Sequence, residues 1–423
     1  MFLESEKMIM LLFKKEGLVP LIVQTSAFLF GALALAIPSG YSYGPALLAF
    51  VSLFVFWKKE YISAMEKEHK IIAALLLSYF VLFLISVIVD GSSISQLDRP
   101  SRALMAALVM PTLAKHKVKL EVLLSGFACG ALIAACVAIY DKFYLGYERA
   151  FDFYSMPIQS GNISMSLGLF CLCGYFWCRA NNNRYFSYLY MLGAVSGLTG
   201  SFLSGTRGGW ILLPVVIVSI LMMYRKVITN NERKGLLFLL AIIVTMVLTP
   251  QTGMLKRFDA AKVDIEQYID GTNLNTSLGI RFQLWGSAFD SFKEKPFFGW
   301  GQNGLRDSQK QQLKENKISE FIYNFNYHAH NQYLEAMAKR GVVGLLVLLA
   351  MLCIPILLVK KKIPIMDPAS DAYCGCVLVI VTCLTTADYN LSQAYFAHNS
   401  GITFFVFSLV LALSVSINNE NQQ

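Results

Sequence analysis

The stretch HAHNQYLEAMAKRGVVG, residues 328–344, holds two of the five histidines of this 423-residue chain and runs directly into the apolar segment LLVLLAMLCIPILLV. An imidazole has an ordinary pKa of ~6.5, so it can accept a proton near neutral pH. His330 is therefore a candidate general base for a hydroxyl group. The other interpretation is a polar capping residue at the start of a helix, and the neighbouring side chains must decide between the two.

Arginines near the ends of apolar segments are the second chemical signal. They are Arg99 and Arg102 in LDRPSRAL, Arg207 in SGTRGGW and Arg281 in SLGIRFQLW. The planar guanidinium suits phosphate oxygens, and the glycines beside Arg207 let the backbone approach a ligand. A snorkelling side chain, or a partner for Asp98 or for an acidic residue of the long loop, is the alternative. A histidine base beside such arginines suits transfer of a sugar from a lipid diphosphate.

Composition indicates that a membrane must position these residues. The chain is 56% hydrophobic and 15% charged, with a mean hydropathy of +0.52, whereas soluble domains carry ~25% charged residues. Long apolar runs alternate with short basic patches, which is typical of a polytopic all-α membrane protein. We predict about twelve spans, near 18–38, 42–57, 70–90, 101–114, 119–140, 162–178, 185–205, 208–224, 235–250, 333–359, 370–387 and 399–417.

The orientation follows from lysine and arginine, which concentrate in every second connection. The positive-inside rule places those connections, and both termini, in the cytoplasm. The long connection between spans nine and ten then faces outward, and its aromatic and glycine-rich stretch 281–305 predicts a folded cap with a helix near 282–293. This divides the chain into spans one to nine (1–250), the cap loop (251–332) and spans ten to twelve (333–423).

Two further patterns concern packing rather than chemistry. Gly341 and Gly344 lie three residues apart and predict a small-residue face for close helix packing. His398 also precedes an apolar span, but without that glycine spacing, so we interpret it as an interfacial residue. The nine cysteines lie in or beside apolar spans without histidine or carboxylate partners of their own, which favours small buried side chains over a metal site.

The stretch HNQYLEAMAKRGVVG, 330–344, resembles the His-[Asn/Ser/Gln]-x9-Gly-x-x-Gly signature of the O-antigen ligase family. LDRPSRAL is similar to a motif between spans three and four of lipopolysaccharide O-antigen ligases. The order of elements is similar as well: Arg207 after span seven, a large loop with Arg281 before aromatic residues, the element PFFGWG (296–301), and then the histidine.

The resemblance implies an activity and a place for each residue. The family transfers O-antigen polysaccharide from undecaprenyl diphosphate to a sugar of lipid A-core at the periplasmic face of the bacterial inner membrane. The fold would be similar to that of C-type glycosyltransferases, and the reaction inverting and independent of metals and cofactors. His330 matches the catalytic histidine, and Arg207 and Arg281 match the arginines that bind the diphosphate. Further candidates are Arg99, Arg102, His328 and Asn331.

The partners implied are the lipid-linked O-antigen, the lipid A-core oligosaccharide and membrane lipids, with no nucleic acid. An O-antigen polymerase, or a ligase that attaches glycan to protein, shares the signature and stays open, although LDRPSRAL favours a lipopolysaccharide acceptor. A transporter is disfavoured because the spans contain almost no carboxylates. A metal-dependent transferase is disfavoured because the acidic residues of the cap loop are spaced like those of a solvated helix face.

Overall fold

The computed structural model describes residues 17–152, 156–206, 208–230, 232–234, 254–325 and 328–417. Within these ranges the α-helices are α1 (Leu18–Ala32), α2 (Tyr43–Ser52), α3 (Lys59–Ser63), α4 (Lys67–Asp90), α5 (Ser101–Lys115), α6 (Leu120–Ile139), α7 (Pro157–Ala180), α8 (Arg184–Leu203), α9 (Leu213–Met223), α10 (Met254–Ile269), α11 (Ser277–Glu294), α12 (Gly301–Lys314), α13 (Glu320–Phe325), α14 (Gln332–Lys360), α15 (Asp371–Ser392) and α16 (Asn399–Ser416).

Seven helices in the described part of the chain are long and apolar enough to cross a membrane: α4, α6, α7, α8, α14, α15 and α16. The protein is therefore an all-α, multi-pass membrane protein, which confirms the predicted fold class. The spans expected at 42–57 and 101–114 appear as α2 and α5, of 10 and 15 residues, whereas a straight crossing needs ~20. The span expected at 235–250 lies outside the described residues, so twelve crossings stay a prediction.

The last two helices form the centre of the bundle. Neither α15 nor α16 has a strongly polar face, and nearly every side chain of both helices is buried inside the protein. Phe404 of α16 meets Phe30 of α1 at 5.2 Å and Phe170 of α7 at 6.3 Å between ring centroids. Because the other helices surround α15 and α16, the loops at the ends of these two helices have fixed positions.

Helices α10 to α13, residues 254–325, form the described part of the cap. The helix expected near 282–293 is present as α11. The cap is joined to the membrane bundle at Asp90, the last residue of α4, whose carboxylate accepts the backbone N–H groups of Gln302 and Asn303 at the start of α12. A carboxylate at a helix N-terminus satisfies open N–H groups and interacts well with the helix dipole.

Helix α14 is interrupted at Gly341, which has φ 63° and ψ −157°. The interruption leaves N–H groups without partners within the helix, and the cap supplies them. Val342 donates to the carbonyl of Pro296 at 2.7 Å and Val343 to that of Phe297 at 3.3 Å. A Cβ atom on Gly341 would lie 2.3 Å from the Phe297 oxygen. The close packing predicted at Gly341 is therefore made with the cap backbone and not with a second helix, because this glycine permits the break that admits Pro296 and Phe297.

The PFFGWG element fits the same break from the other side. Gly299 has φ +67°, and a Cβ there would lie 2.4 Å from the backbone nitrogen of Arg340. Trp300 donates its backbone N–H to the Ala338 carbonyl at 3.0 Å. The two glycine-containing stretches of the sequence thus form one interlocked joint between cap and α14.

Candidate active site

Three of the five histidines meet where the cap returns to the membrane. The ring centroids of His328 and His330 are 4.5 Å apart, and those of His328 and His398 are 5.4 Å apart. We call these three residues the histidine cluster. The interpretation of His398 as a merely interfacial residue is wrong. His328, a further candidate from the sequence, lies in the loop before α14 and packs against the ring of His330.

Gln393 joins two members of the cluster. Its Oε1 lies 3.2 Å from Nδ1 of His330, and its Nε2 lies 3.1 Å from Nε2 of His398. Gln393 follows the last residue of α15 and is 1% exposed. Sequence reasoning missed this residue because a single glutamine after a helix carries no motif. The one available signal was that a second His-Asn pair, 398–399, precedes an apolar span in the same way as 330–331.

The loop that carries His330 is held in an uncommon conformation. His330 has φ +47°, a region that residues other than glycine seldom adopt and that concentrates at functional sites. The backbone N–H of His330 donates to Nδ1 of His328 at 3.2 Å. The N–H of Ala329 donates to the buried carboxylate of Glu335 at 2.8 Å, and Glu335 also pairs with Lys339. These contacts fix the direction of the His330 side chain.

Asn331, a further candidate from the sequence, has a structural role. Its Oδ1 accepts the N–H groups of Tyr333 and Leu334 at 3.0 and 3.1 Å, so it is the N-cap of α14. Its Nδ2 donates to the Leu391 carbonyl at 3.0 Å. Asn331 therefore ties the start of α14 to the end of α15, where Gln393 lies.

Arg281, on cap helix α11, reaches the same place. Its Nη1 donates to the carbonyl of Ser392 at 3.3 Å, and Ser392 immediately precedes Gln393. The positive charge of Arg281 contributes to a lower pKa of His330, so the guanidinium and the imidazole belong to one site. The structure thus brings together two of the residues that the sequence predicted.

Arg207 lies outside the described residues, but its neighbours are described. A Cβ atom on Gly208 would lie 1.8 Å from Oγ of Ser392, the residue whose carbonyl Arg281 contacts. Thr206 donates its hydroxyl to the Pro157 carbonyl at the start of α7, at 3.0 Å. The glycine beside Arg207 therefore packs against the same end of α15 as Arg281 does.

Arg99 and Arg102 differ from each other. Arg102 pairs with Asp98 at 2.9 Å, and the other oxygen of Asp98 accepts the Nδ2–H of Asn399 at 2.7 Å. Arg102 thus has the acidic partner that the alternative interpretation assigned to it. Arg99 is exposed, and its charge contributes to a lower pKa of His398. The LDRPSRAL stretch is consequently attached beside the histidine cluster.

Burial is the largest cause of the lowered pKa of all three histidines. It brings the pKa of His328 to about 3 and that of His398 to about 4. For His330, burial and the charge of Arg281 lower the pKa, whereas the hydrogen bond with Gln393 and the carboxylate of Glu335 act in the opposite direction. His330 is therefore neutral at pH 7, which is the form that can accept a proton.

Across the residues that the structure describes, no group of three or more His, Cys, Asp or Glu side chains is arranged to hold a metal ion. The nine cysteines are all free, and six of them are buried. The chemistry that these residues offer at the site is proton transfer by imidazole and binding of anions by arginine.

The fold and the site define a multi-pass membrane protein with a half-buried histidine cluster and nearby arginines beneath a helical cap. A family model described as O-Antigen ligase matches residues 192–349. An uncharacterized protein of Haemophilus influenzae is 36% identical over 392 residues, which are 92% of this chain and 96% of that protein. The O-antigen ligase of Escherichia coli K12 is 24% identical over 159 residues, 37% of this chain and 38% of that one. The chain belongs to the O-antigen ligase superfamily.

Proposed function

We propose that this protein is an O-antigen ligase of the bacterial inner membrane. It transfers O-antigen polysaccharide from undecaprenyl diphosphate to a sugar hydroxyl of the lipid A-core oligosaccharide, at the periplasmic face. The observation that carries the proposal is the position of His330, which is neutral, half-buried beneath the cap and close enough to Arg281 for that charge to lower its pKa. Superfamily membership supports the reaction class, a glycosyl transfer from a lipid-linked donor.

Each residue has a defined part in the proposed reaction. The imidazole of His330 removes the proton from the acceptor hydroxyl as that oxygen attacks the anomeric carbon of the donor sugar. The bond from the anomeric carbon to the diphosphate oxygen breaks on the opposite face, which inverts the configuration. Undecaprenyl diphosphate leaves with the electron pair, and Arg281 and Arg207 stabilise its negative charge. The proton stays on His330 until water accepts it.

The first test is a set of histidine variants in a purified protein with lipid-linked O-antigen and lipid A-core. His330→Ala should abolish transfer, while expression and membrane insertion persist. His328→Ala should reduce transfer less, because His328 supports the backbone of His330 and does not itself act on the acceptor. His116→Ala is the matched control and should retain full activity. His116 directly follows α5 and contacts Tyr61, at the end of α5 opposite to the LDRPSRAL stretch. Normal transfer by an inserted His330→Ala protein would remove His330 from the mechanism.

A deletion strain separates the ligase from the sister activities that share the signature. Loss of a ligase leaves core lipopolysaccharide without a ladder on a gel, with glycan accumulating on the lipid carrier. Loss of a polymerase leaves lipopolysaccharide that carries a single repeat unit. Loss of a protein glycan ligase leaves the ladder intact and removes glycan from protein. We expect the first pattern, and either of the others would reassign the acceptor.

A further inference from the structure

We propose that Gln393 is a positioning residue for the base: its side-chain amide determines which ring nitrogen of His330 carries the proton, and it fixes His398 at the same time. The inference rests on the proposed function of His330 as general base. It adds a residue that lies beyond the 192–349 range matched by the family model.

The two ends of a glutamine amide differ in the hydrogen bonds that they make. Oε1 can only accept a hydrogen bond, and Nε2 can only donate. Since Oε1 lies 3.2 Å from Nδ1 of His330, this Nδ1 carries the proton in the neutral ring. The lone pair is then on Nε2 of His330, free for the acceptor hydroxyl. The tautomer of His330 is thus determined by its hydrogen-bond partner, the amide of Gln393, and not by the ring itself.

His398 contacts the other end of the amide. Its Nε2 lies 3.1 Å from Nε2 of Gln393, and the amide nitrogen donates, so Nε2 of His398 is the unprotonated nitrogen. A reversed amide would donate to Nδ1 of His330 and move the proton of His330 to Nε2. That form could not accept the substrate proton at Nε2. The active tautomer of His330 is therefore coupled, through Gln393, to the tautomer of His398 that carries its proton on Nδ1.

His328 completes the arrangement without contacting the amide. Its Nδ1 accepts the backbone N–H of His330 at 3.2 Å, so the proton of its neutral ring is on Nε2. Every imidazole in the histidine cluster thus has one nitrogen assigned by a specific partner. Such complete assignment is expected where one proton has to be placed correctly before reaction.

A neutral amide suits this place better than a carboxylate because of the charges that face the cluster. These are Arg281 from α11, Arg99 beside α5, and Glu335 with its partner Lys339 on α14. A carboxylate at position 393 would stabilise the imidazolium form of His330 and raise its pKa. Glutamine determines which ring nitrogen of His330 carries the proton but does not stabilise the imidazolium form, so His330 stays neutral.

The backbone of Gln393 also links the base to the diphosphate site. Its N–H donates to the Tyr389 carbonyl at 3.1 Å, which continues the last turn of α15. The preceding residue, Ser392, accepts the hydrogen bond of Arg281 and packs against Gly208. One turn of chain therefore sets the distance between the proton acceptor and the arginine that binds the leaving group.

The test compares Gln393→Glu and Gln393→Leu with the control Gln311→Glu, which makes the same charge change on the exposed surface of α12. Two quantities are measured against pH in protein reconstituted in liposomes. One is the rate at which diethyl pyrocarbonate modifies His330, read by mass spectrometry, because that reagent attacks unprotonated imidazole. His116 serves as internal reference. The other is kcat and KM for transfer.

Gln393→Glu should move the midpoint of His330 modification upward by ~1 pH unit or more, since a nearby opposite charge shifts a pKa by that amount. The acidic limb of kcat should move with it, and activity should recover above the new midpoint. Gln393→Leu should lower kcat by ~10-fold or more at every pH, within the range expected for proton-transfer catalysis, with KM little changed. Gln311→Glu should match the wild type in both measurements.

An unchanged midpoint in a folded Gln393→Glu protein would overturn the proposal, and so would wild-type kcat in Gln393→Leu. The two readouts keep this inference separate from the proposed function. If the wild type transfers no glycan but the midpoint still rises in Gln393→Glu, the role of Gln393 at His330 stands and the reaction assignment fails. If His330→Ala is inactive but the midpoint does not move, the reaction stands and Gln393 has no positioning role.

Discussion

His330 occupies a left-handed backbone conformation that a histidine adopts at an expense of roughly 1–3 kcal/mol. Its neighbours compensate for that strain: His330 donates its N–H to His328, Ala329 to Glu335, and Asn331 caps the helix that follows. The loop therefore has one direction available for the imidazole. A base that is already oriented loses little entropy when the acceptor hydroxyl arrives.

Arg281 and Arg207 give the first prediction. Arg281→Lys and Arg207→Lys should each lower transfer by roughly 10–100-fold, because a charge-assisted hydrogen bond contributes ~1.5–3 kcal/mol and lysine lacks the planar fork. Both are proposed to bind one diphosphate, so the loss in the double variant should be smaller than the product of the single losses. The measurement is the transfer rate together with donor affinity. Full activity in both single variants would assign these arginines to packing.

The second prediction concerns metal ions. Transfer by the purified protein should be unaffected by EDTA, because arginine is proposed to neutralise the leaving diphosphate. The control is a magnesium-dependent glycosyltransferase, which must lose activity in the same buffer. Activity that disappears in EDTA and returns with magnesium or manganese would assign the diphosphate to a metal ion instead.

Among the elements, α14 decides how the site is assembled. Its outer part, residues 332–340, carries the Asn331 cap and Glu335, and the break at Gly341 separates it from the longer inner part. The backbone of Pro296 and Phe297 enters at this break. The orientation of the histidine loop is consequently set by the cap and by α14 together.

Gly341→Ala gives the third prediction. Its φ and ψ lie in a region that is essentially restricted to glycine, and a Cβ would lie 2.3 Å from the Phe297 oxygen. The variant should lower the midpoint of thermal unfolding in detergent by about 1–3 °C through backbone strain of about 1–3 kcal/mol alone. The clash with the Phe297 oxygen should lower it further, and transfer should be reduced. Gly299→Ala, on the opposite side of the joint, should act similarly.

Gly286→Ala is the matched control for this prediction. Gly286 lies within α11, and a Cβ there would meet nothing within 4 Å. In a helix interior, alanine is favoured over glycine by ~1 kcal/mol, so this variant should be as stable as the wild type or more so. Equal stability of the Gly341→Ala and Gly286→Ala proteins would show that the break does not need glycine.

Periodicity and charge predicted the elements well, because long apolar runs leave few alternatives to membrane helices. They could not show the break in α14: a glycine in an apolar run fits helix packing as well as it fits positive φ. They also missed Gln393 and His398, because the contact between these residues and His330 exists only after α14, α15 and α16 have packed. His330 was singled out because its spacing matches a signature, and Arg281 because an arginine near the end of an apolar segment is unusual.

At the scale of the whole molecule, the joint at Gly341 and the contact of Asp90 with α12 attach the cap to the membrane bundle at two points. The site lies between the cap and the bundle, since Arg281 comes from the former and His398 from the latter. In the proposed reaction, the lipid donor stays in the bilayer while its diphosphate reaches both.

Orientation in the membrane gives the fourth prediction. Lys310, on the cap, and Lys59, at the start of α3, are both exposed. In a parent chain without the exposed Cys136 and Cys353, Lys310→Cys should react with an impermeant maleimide in intact spheroplasts, because we place the cap in the periplasm. Lys59→Cys should react only after the membrane is disrupted. The reverse labelling pattern would invert the proposed topology.

The break in α14 also has a consequence for synthesis of the chain. Residues 296–297 leave the ribosome before residues 342–343, so in the proposed topology the cap crosses the membrane before α14 arrives. Without the carbonyls of Pro296 and Phe297, α14 would enter lipid with two open N–H groups, each of which costs several kcal/mol in hydrocarbon. If the cap fails to cross the membrane, α14 should therefore not integrate into the bilayer. Quality-control proteases should then degrade the chain.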